Sequence, residues 1–179
     1  MNRASVGIVV LSALMVSAGA EAETCPATLP SQIRVMDCGL ATSVADVLTR
    51  SATFKQLVEG IAALNGIVYV VVEPTPRVHK TALGVLSHRM AVSGTLRVLR
   101  IVVRQDRGDA ALATVAHELR HATGLLEDPA AQTDAAVAAL FARIGVELAP
   151  GVFETNAAIV SERAVFRELQ ESRRRPRLE

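Results

Sequence analysis

His117-Glu118-Leu119-Arg120-His121 is the stretch of this sequence best equipped for chemistry. In an α-helix, residues four apart project from one face, so both imidazoles can reach a single divalent ion. Glu118 then sits beside the first imidazole, placed to take a proton from a water polarised by that ion. Two imidazoles suit Zn2+, which takes a third protein ligand and keeps its fourth position open when it serves as a catalyst. The residues before the motif, Ala111, Leu112, Ala113, Val115 and Ala116, make a helix small enough to be buried. A buried helix that displays two histidines and a glutamate is costly unless those groups are paired or bound.

Three carboxylates compete for the third position. Glu154 falls on an expected last helix where Ala157, Ala158, Val165 and Leu169 cluster around its direction. A carboxylate in the middle of an apolar stripe calls for a cation; a first-turn acid favoured by the helix dipole is the plainer alternative. Asp134 shares a face with Ala130, Val137, Ala138 and Phe141. It suits the role of accepting the free N–H of a ligand histidine, with direct ligation left open. Glu127, on a continuous helix, would point about 240° away from His121. Glu162 and Glu168 lie towards the edges of their apolar arc and read as surface or ion-pair residues.

The elements around the motif come in an α+β order. Residues 23–39, with their Pro, Thr and Ser, read as an extended lead-in, and residues 43–64 as two helices, the second capped by Ser51. Asn65-Gly66 closes that region. Ile67 to Val72 is β-branched and apolar, hence a buried strand stopped by Pro74 and Pro76. A short strand is expected at Ala82 to Leu86 and a longer one at Leu96 to Val103, with Arg97, Arg100 and Arg104 along it. Ala110 to Gly124 forms the motif helix, and Asp128-Pro129 starts the next, which Gly145 closes. The last helix is expected from Val152 or Phe153 to Gln170, followed by a basic, disordered tail over 172–179.

Ala116 to Ala122, with HELRH inside it, resembles the zincins, the superfamily of HExxH zinc peptidases. The likeness is looser over residues 54–170, where helix, strands, motif helix and ligand helix follow the zincin order. It implies a zincin-like single domain over residues 23–171, a small β-sheet packed on the HExxH helix with two further helices after it. It also implies a Zn2+ ion on His117 and His121, Glu118 as general base, and a peptide or protein substrate. In the gluzincin branch a downstream helical Glu completes the ligand set, the place Glu154 would take. The chain is also similar to small exported bacterial zincin-like proteins with a Phe-Glu-Thr segment about thirty residues after HExxH, here Phe153-Glu154-Thr155. HELRHATGLLE resembles the metzincin HExxHxxGxxH/D with Glu127 last, but that branch requires a methionine turn, and Met1, Met15, Met36 and Met90 all precede the motif. Zincins pair extended substrate with an edge strand, for which Leu96 to Val103 is the candidate, its arginines otherwise protecting an edge. Among groups that might steady an oxyanion, Tyr69 reads as core, and His88 is a better candidate than His79. Without catalysis, the same ions and ligands would make a structural clamp or partner-binding module.

Half of the 179 residues are apolar, enough for a real core, and the net charge of +1 gives no basic field for nucleic acid. Aromatic residues are too few for base stacking. Arg3, the apolar run Val6 to Val16 and the small residues Ser17 to Ala22 read as an export signal over residues 1–22, with no stable membrane span once it is removed. The expected location is therefore periplasmic or secreted. There, Cys25 and Cys38 are expected to form a disulfide.

Overall fold

The β-branched runs Ile67 to Val72 and Leu96 to Val103 favour extended backbone, and they become the two long neighbouring strands of the sheet. The computed structural model describes residues 29–73, 83–87, 90–104 and 108–174. In chain order these form β1 (Ile33–Val35), α1 (Cys38–Arg50), α2 (Ala52–Ala62), β2 (Gly66–Glu73), β3 (Gly84–Leu86), β4 (Ala91–Ser93) and β5 (Leu96–Arg104). Then follow α3 (Asp109–Glu127), α4 (Asp134–Ile144), β6 (Val146–Ala149), β7 (Val152–Glu154) and α5 (Asn156–Arg174). The architecture is α+β. The expected export signal, Cys25, His79 and His88 lie outside the described residues. Among the described residues, no helix is long and apolar enough to cross a membrane.

β1, β2 and β5 run parallel, in the order β1-β2-β5. β3 and β4 lie end to end along the outer side of β5, both antiparallel to it. Leu96 to Val103 is therefore an inner strand, not the expected edge. Its backbone is already paired on both sides, and the outer position falls to β3 and β4. The arginines do not guard an edge either. Arg97 is buried, and its guanidinium donates to the carbonyls of Leu125 and Asp128 at 2.8 and 2.7 Å and to that of Leu126. Arg100 is exposed and pairs with Glu73 at 2.6 Å.

One sheet face is dry. Val68, Val70, Leu99 and Ile101 have no exposure and join Phe54, Val58, Ile61, Leu119, Leu125 and Leu169 in one core. The intervening Ile67, Tyr69 and Val71 are half-buried on the other face, so β2 is covered fully on one side only. Tyr69 belongs to that second face, where its hydroxyl accepts from Arg34 at 2.7 Å.

The helices depart from expectation mainly at their ends. α1 begins at Cys38 because Asp37 caps it, accepting from Leu40 N at 2.7 Å. Ser51 caps α2 as expected, accepting from Phe54 N at 3.0 Å. α3 runs through Gly124 to Glu127, since the Arg97 guanidinium collects its last carbonyls and supports the extra turn. Asp128-Pro129 makes a local turn in which Asp128 accepts from Ala130 N at 2.9 Å, and Thr133 is the cap of α4. α5 extends to Arg174, into the region expected to be a tail, and residues 175–179 lie outside the described set.

Candidate metal centre

The site is built on α3, the longest buried helix, which is pinned at both ends. At its start the buried carboxylate of Asp109 accepts from Gln170 at 2.9 Å and from Arg173 at 2.5 Å, both on α5. At its end stands the Arg97 clamp. Between them, His117 and His121 project from one face, with their ring nitrogens Nε2 3.1 Å apart.

Glu154 reaches both. Its Oε2 lies 3.3 Å from His117 Nε2 and its Oε1 3.5 Å from His121 Nε2. The helical argument that pointed to Glu154 is wrong in its premise, because Glu154 is the last residue of β7 and α5 starts at Asn156. The cap of that helix is Thr155, which accepts from Ala158 N at 3.2 Å. The hairpin of β6 and β7 went unread, although Pro150-Gly151 between Val-Glu-Leu and Val-Phe-Glu is a turn signal. Gly151 has a φ of 72°, the left-handed region a turn glycine supplies.

The competing carboxylates are elsewhere. Glu127 is exposed and lies 3.6 Å from Arg120. Asp134 is exposed in the first turn of α4, so it does not accept a histidine proton. That task belongs to Glu162, on α5, whose Oε2 is 3.0 Å from His117 Nδ1. The pattern of the last helix placed Glu162 at the edge of the apolar arc, which is where a residue reaching sideways to α3 must stand.

The protonation states follow from these contacts. The hydrogen bond to His117 holds the Glu162 carboxyl below its ordinary pKa despite partial burial, so it is an acceptor. Glu162 thereby holds a proton on His117 Nδ1, so that in the neutral ring Nε2 is the lone pair, on the side of Glu154 and His121. Burial alone would lower the His117 pKa, but the Glu162 hydrogen bond and the charges of Glu118, Glu154 and Glu162 raise it above the usual imidazole value. Burial, with the neighbouring charges of His117 and Arg120, lowers His121 to about 4. His121 is therefore neutral near pH 7, the form that binds a metal.

These atoms fit a metal ion. Among the described residues, His117, His121 and Glu154 are the group whose donor atoms could hold one. Four-coordinate zinc, with bonds of about 2.0–2.1 Å, sets its ligand atoms about 3.3–3.4 Å apart. The two ring nitrogens, 3.1 Å apart, stand near that spacing, and Glu154 approaches them with different oxygens at 3.3 and 3.5 Å; with one donor atom taken from each residue, the three lie within 4.8 Å of one another.

Against protein-family models, curated proteins and solved structures, the chain has no significant match.

Glu118 occupies the side of α3 that faces β3. It is 5% exposed, and its Oε2 accepts from Leu86 N at 2.6 Å. Burial raises its pKa to about 7, against the opposing pull of His117 and the Leu86 N–H. Gly84 makes this contact possible. A Cβ there would stand 2.7 Å from Thr114 Cγ2 and 3.3 Å from Glu118 Cγ, so only glycine lets β3 approach α3 so closely. Sequence reasoning did not single out Gly84 or Leu86; an isolated glycine opening a strand was the available sign of close backbone approach.

Proposed function

We propose that this chain is a zinc-dependent peptidase of zincin type, with His117, His121 and Glu154 as ligands and Glu118 as general base. The observation that carries the reading is the convergence of two imidazole nitrogens, 3.1 Å apart, and one carboxylate, with a donor atom from each within 4.8 Å of the others. A bound zinc ion would supply a Lewis acid that polarises a carbonyl and brings the pKa of water towards neutrality. The chain's own groups do the rest. Glu162 fixes the tautomer and ring of His117. Glu118 holds a carboxylate beside the ligands with its pKa near 7, where one group can accept a proton and hand it on. The Leu86 N–H fixes its orientation. The export signal read in residues 1–22 would put this activity, and a Cys25–Cys38 disulfide, in the periplasm or outside the cell.

The test is metal content and peptide hydrolysis before and after Glu118→Gln. The expected result is retained zinc with activity down by about 10²–10⁴-fold. Zinc retained at full activity removes Glu118 from the mechanism, and a protein that binds no zinc removes the whole reading. A second reading, a zinc clamp without catalysis, is favoured by the bond from Leu86 N–H to Glu118, which stitches β3 to α3 and needs no reaction. It predicts stoichiometric zinc and no hydrolysis of any peptide by the unmodified protein.

A further inference from the structure

Nine large apolar side chains are exposed among the described residues, and four of them, Ile144, Val146, Leu148 and Val152, fall in one short segment just before Glu154. Val146 is 66% and Leu148 67% exposed. Loose apolar residues at such density mark a place where something binds.

Register shows where this surface leads. Val146 pairs with Glu154 and Glu147 with Phe153, with an irregularity around Leu148. Paired residues share a face and neighbours alternate, so Val146, Val152 and Glu154 stand on one side of the hairpin. Phe153 and Glu147 stand on the other, where Phe153 stacks on Phe141 of α4 with ring centroids 6.4 Å apart. Phe153 thus holds the hairpin against α4, while Val146 and Val152 are exposed on the opposite face, the one that carries Glu154.

We propose that the exposed Val146 and Val152 of this face, with the exposed Leu148 at the irregularity between Glu147 and Ala149, bind the apolar side chains of an extended peptide beside the bond to be cut. The proposal rests on the peptidase reading and names its substrate class: unfolded or flexible polypeptide with aliphatic residues near the cleavage point. Continuity decides the occupant, because the strip ends on a residue of the candidate metal centre, so whatever lies along it is delivered to the ion. An extended peptide also suits a hairpin, whose outer strand can offer main-chain groups to it.

The probe is a fluorescein-labelled decapeptide rich in Leu and Val, compared with its Ser-substituted counterpart. Binding is read by anisotropy on the zinc-loaded full chain carrying Glu118→Gln. The aliphatic peptide is expected to bind more tightly, and adding Leu148→Ser should weaken that binding about tenfold while zinc content and binding of the Ser peptide stay unchanged. Val152→Thr, equal in shape, should give a smaller loss in the same direction. Equal binding of the two peptides, or equal weakening of both by Leu148→Ser, overturns the proposal. So does sedimentation showing a wild-type dimer that Leu148→Ser dissociates, since the strip would then belong to a second copy of the chain. Peptide preference through Leu148 in a protein whose unmodified form cleaves nothing would keep the strip and discard the hydrolysis.

Discussion

Replacing Glu162 with Ala removes the carboxylate that accepts the His117 Nδ1 proton at 3.0 Å, and leaves the ring free to rotate or to carry its proton on Nε2. Losing such a partner typically lowers zinc affinity by about 10–100-fold. The Glu162 side chain is 37% exposed, so solvent screens its charge and the expectation moves to the lower end, about tenfold. Glu162→Gln keeps an acceptor oxygen and loses only the charge, so its effect should be smaller, roughly threefold. Two reference variants bracket the result. Glu154→Ala deletes a ligand and should exceed the Glu162→Ala loss, whereas Asp134→Ala, exposed on α4, should change nothing. The assay is competition for Zn2+ against a chromophoric chelator near pH 7, with circular dichroism confirming the fold of each variant. If Glu162→Ala holds zinc as firmly as the unmodified protein, or Asp134→Ala loses as much as Glu162→Ala, the assignment of the supporting carboxylate is wrong.

Two further outcomes follow from packing and charge. Gly84→Ala sets a methyl group 2.7 Å from Thr114 Cγ2, an overlap expected to cost about 1–3 kcal/mol in a urea titration. Thr114→Ser, which deletes that Cγ2 and keeps the hydroxyl bonded to Ala110 O, should restore part of the loss; no restoration would refute the steric account. Glu168 concerns acid stability. Burial would raise its pKa, but hydrogen bonds from Ser51 Oγ, Thr53 Oγ1 and Thr53 N outweigh burial and depress it below the ordinary 4.5. A depressed carboxylate contributes stability above its unfolded pKa and loses it as pH falls through the folded one. The urea midpoints of the unmodified protein and Glu168→Gln should therefore differ near neutrality and converge as the pH falls below the ordinary 4.5 and through the depressed folded value; a gap that persists at low pH would count against these bonds.

The legible part of the molecule was the part encoded by period and composition. HELRH on a helix, the strands Ile67 to Val72 and Leu96 to Val103, and the Ser51 cap are all local patterns, and local patterns fix local structure. What escaped depends on contacts distant in sequence. Arg97 looked like an edge arginine because nothing nearby says that two carbonyls of α3 and that of Asp128 just beyond it will surround it. Asp128-Pro129 offered a helix start by its residue types, but Thr133 won the cap, and Asp128 went to a turn. Glu154 was chosen on a helical stripe that it does not belong to. Glu154 nonetheless lies near both histidines, because a carboxylate next to a helix start and one inside the first turn lie close in space. Glu162 and Asp134 exchanged roles for a similar reason: an acid on an apolar stripe and an acid at its margin differ only in which helix lies alongside.

On the proposed reading, the double anchoring of α3 has a consequence for how a cation would enter and leave. Asp109 and Arg97 hold the helix from both ends, so the two imidazoles keep their spacing whether or not an ion is present. Glu154 rides instead on a short two-stranded ribbon with much of its surface in water. Ion exchange should then be governed by how often that ribbon swings open. The same ribbon could also adjust its reach, so in the proposed site the pair of nitrogens would favour zinc while the carboxylate would tolerate a range of ionic radii.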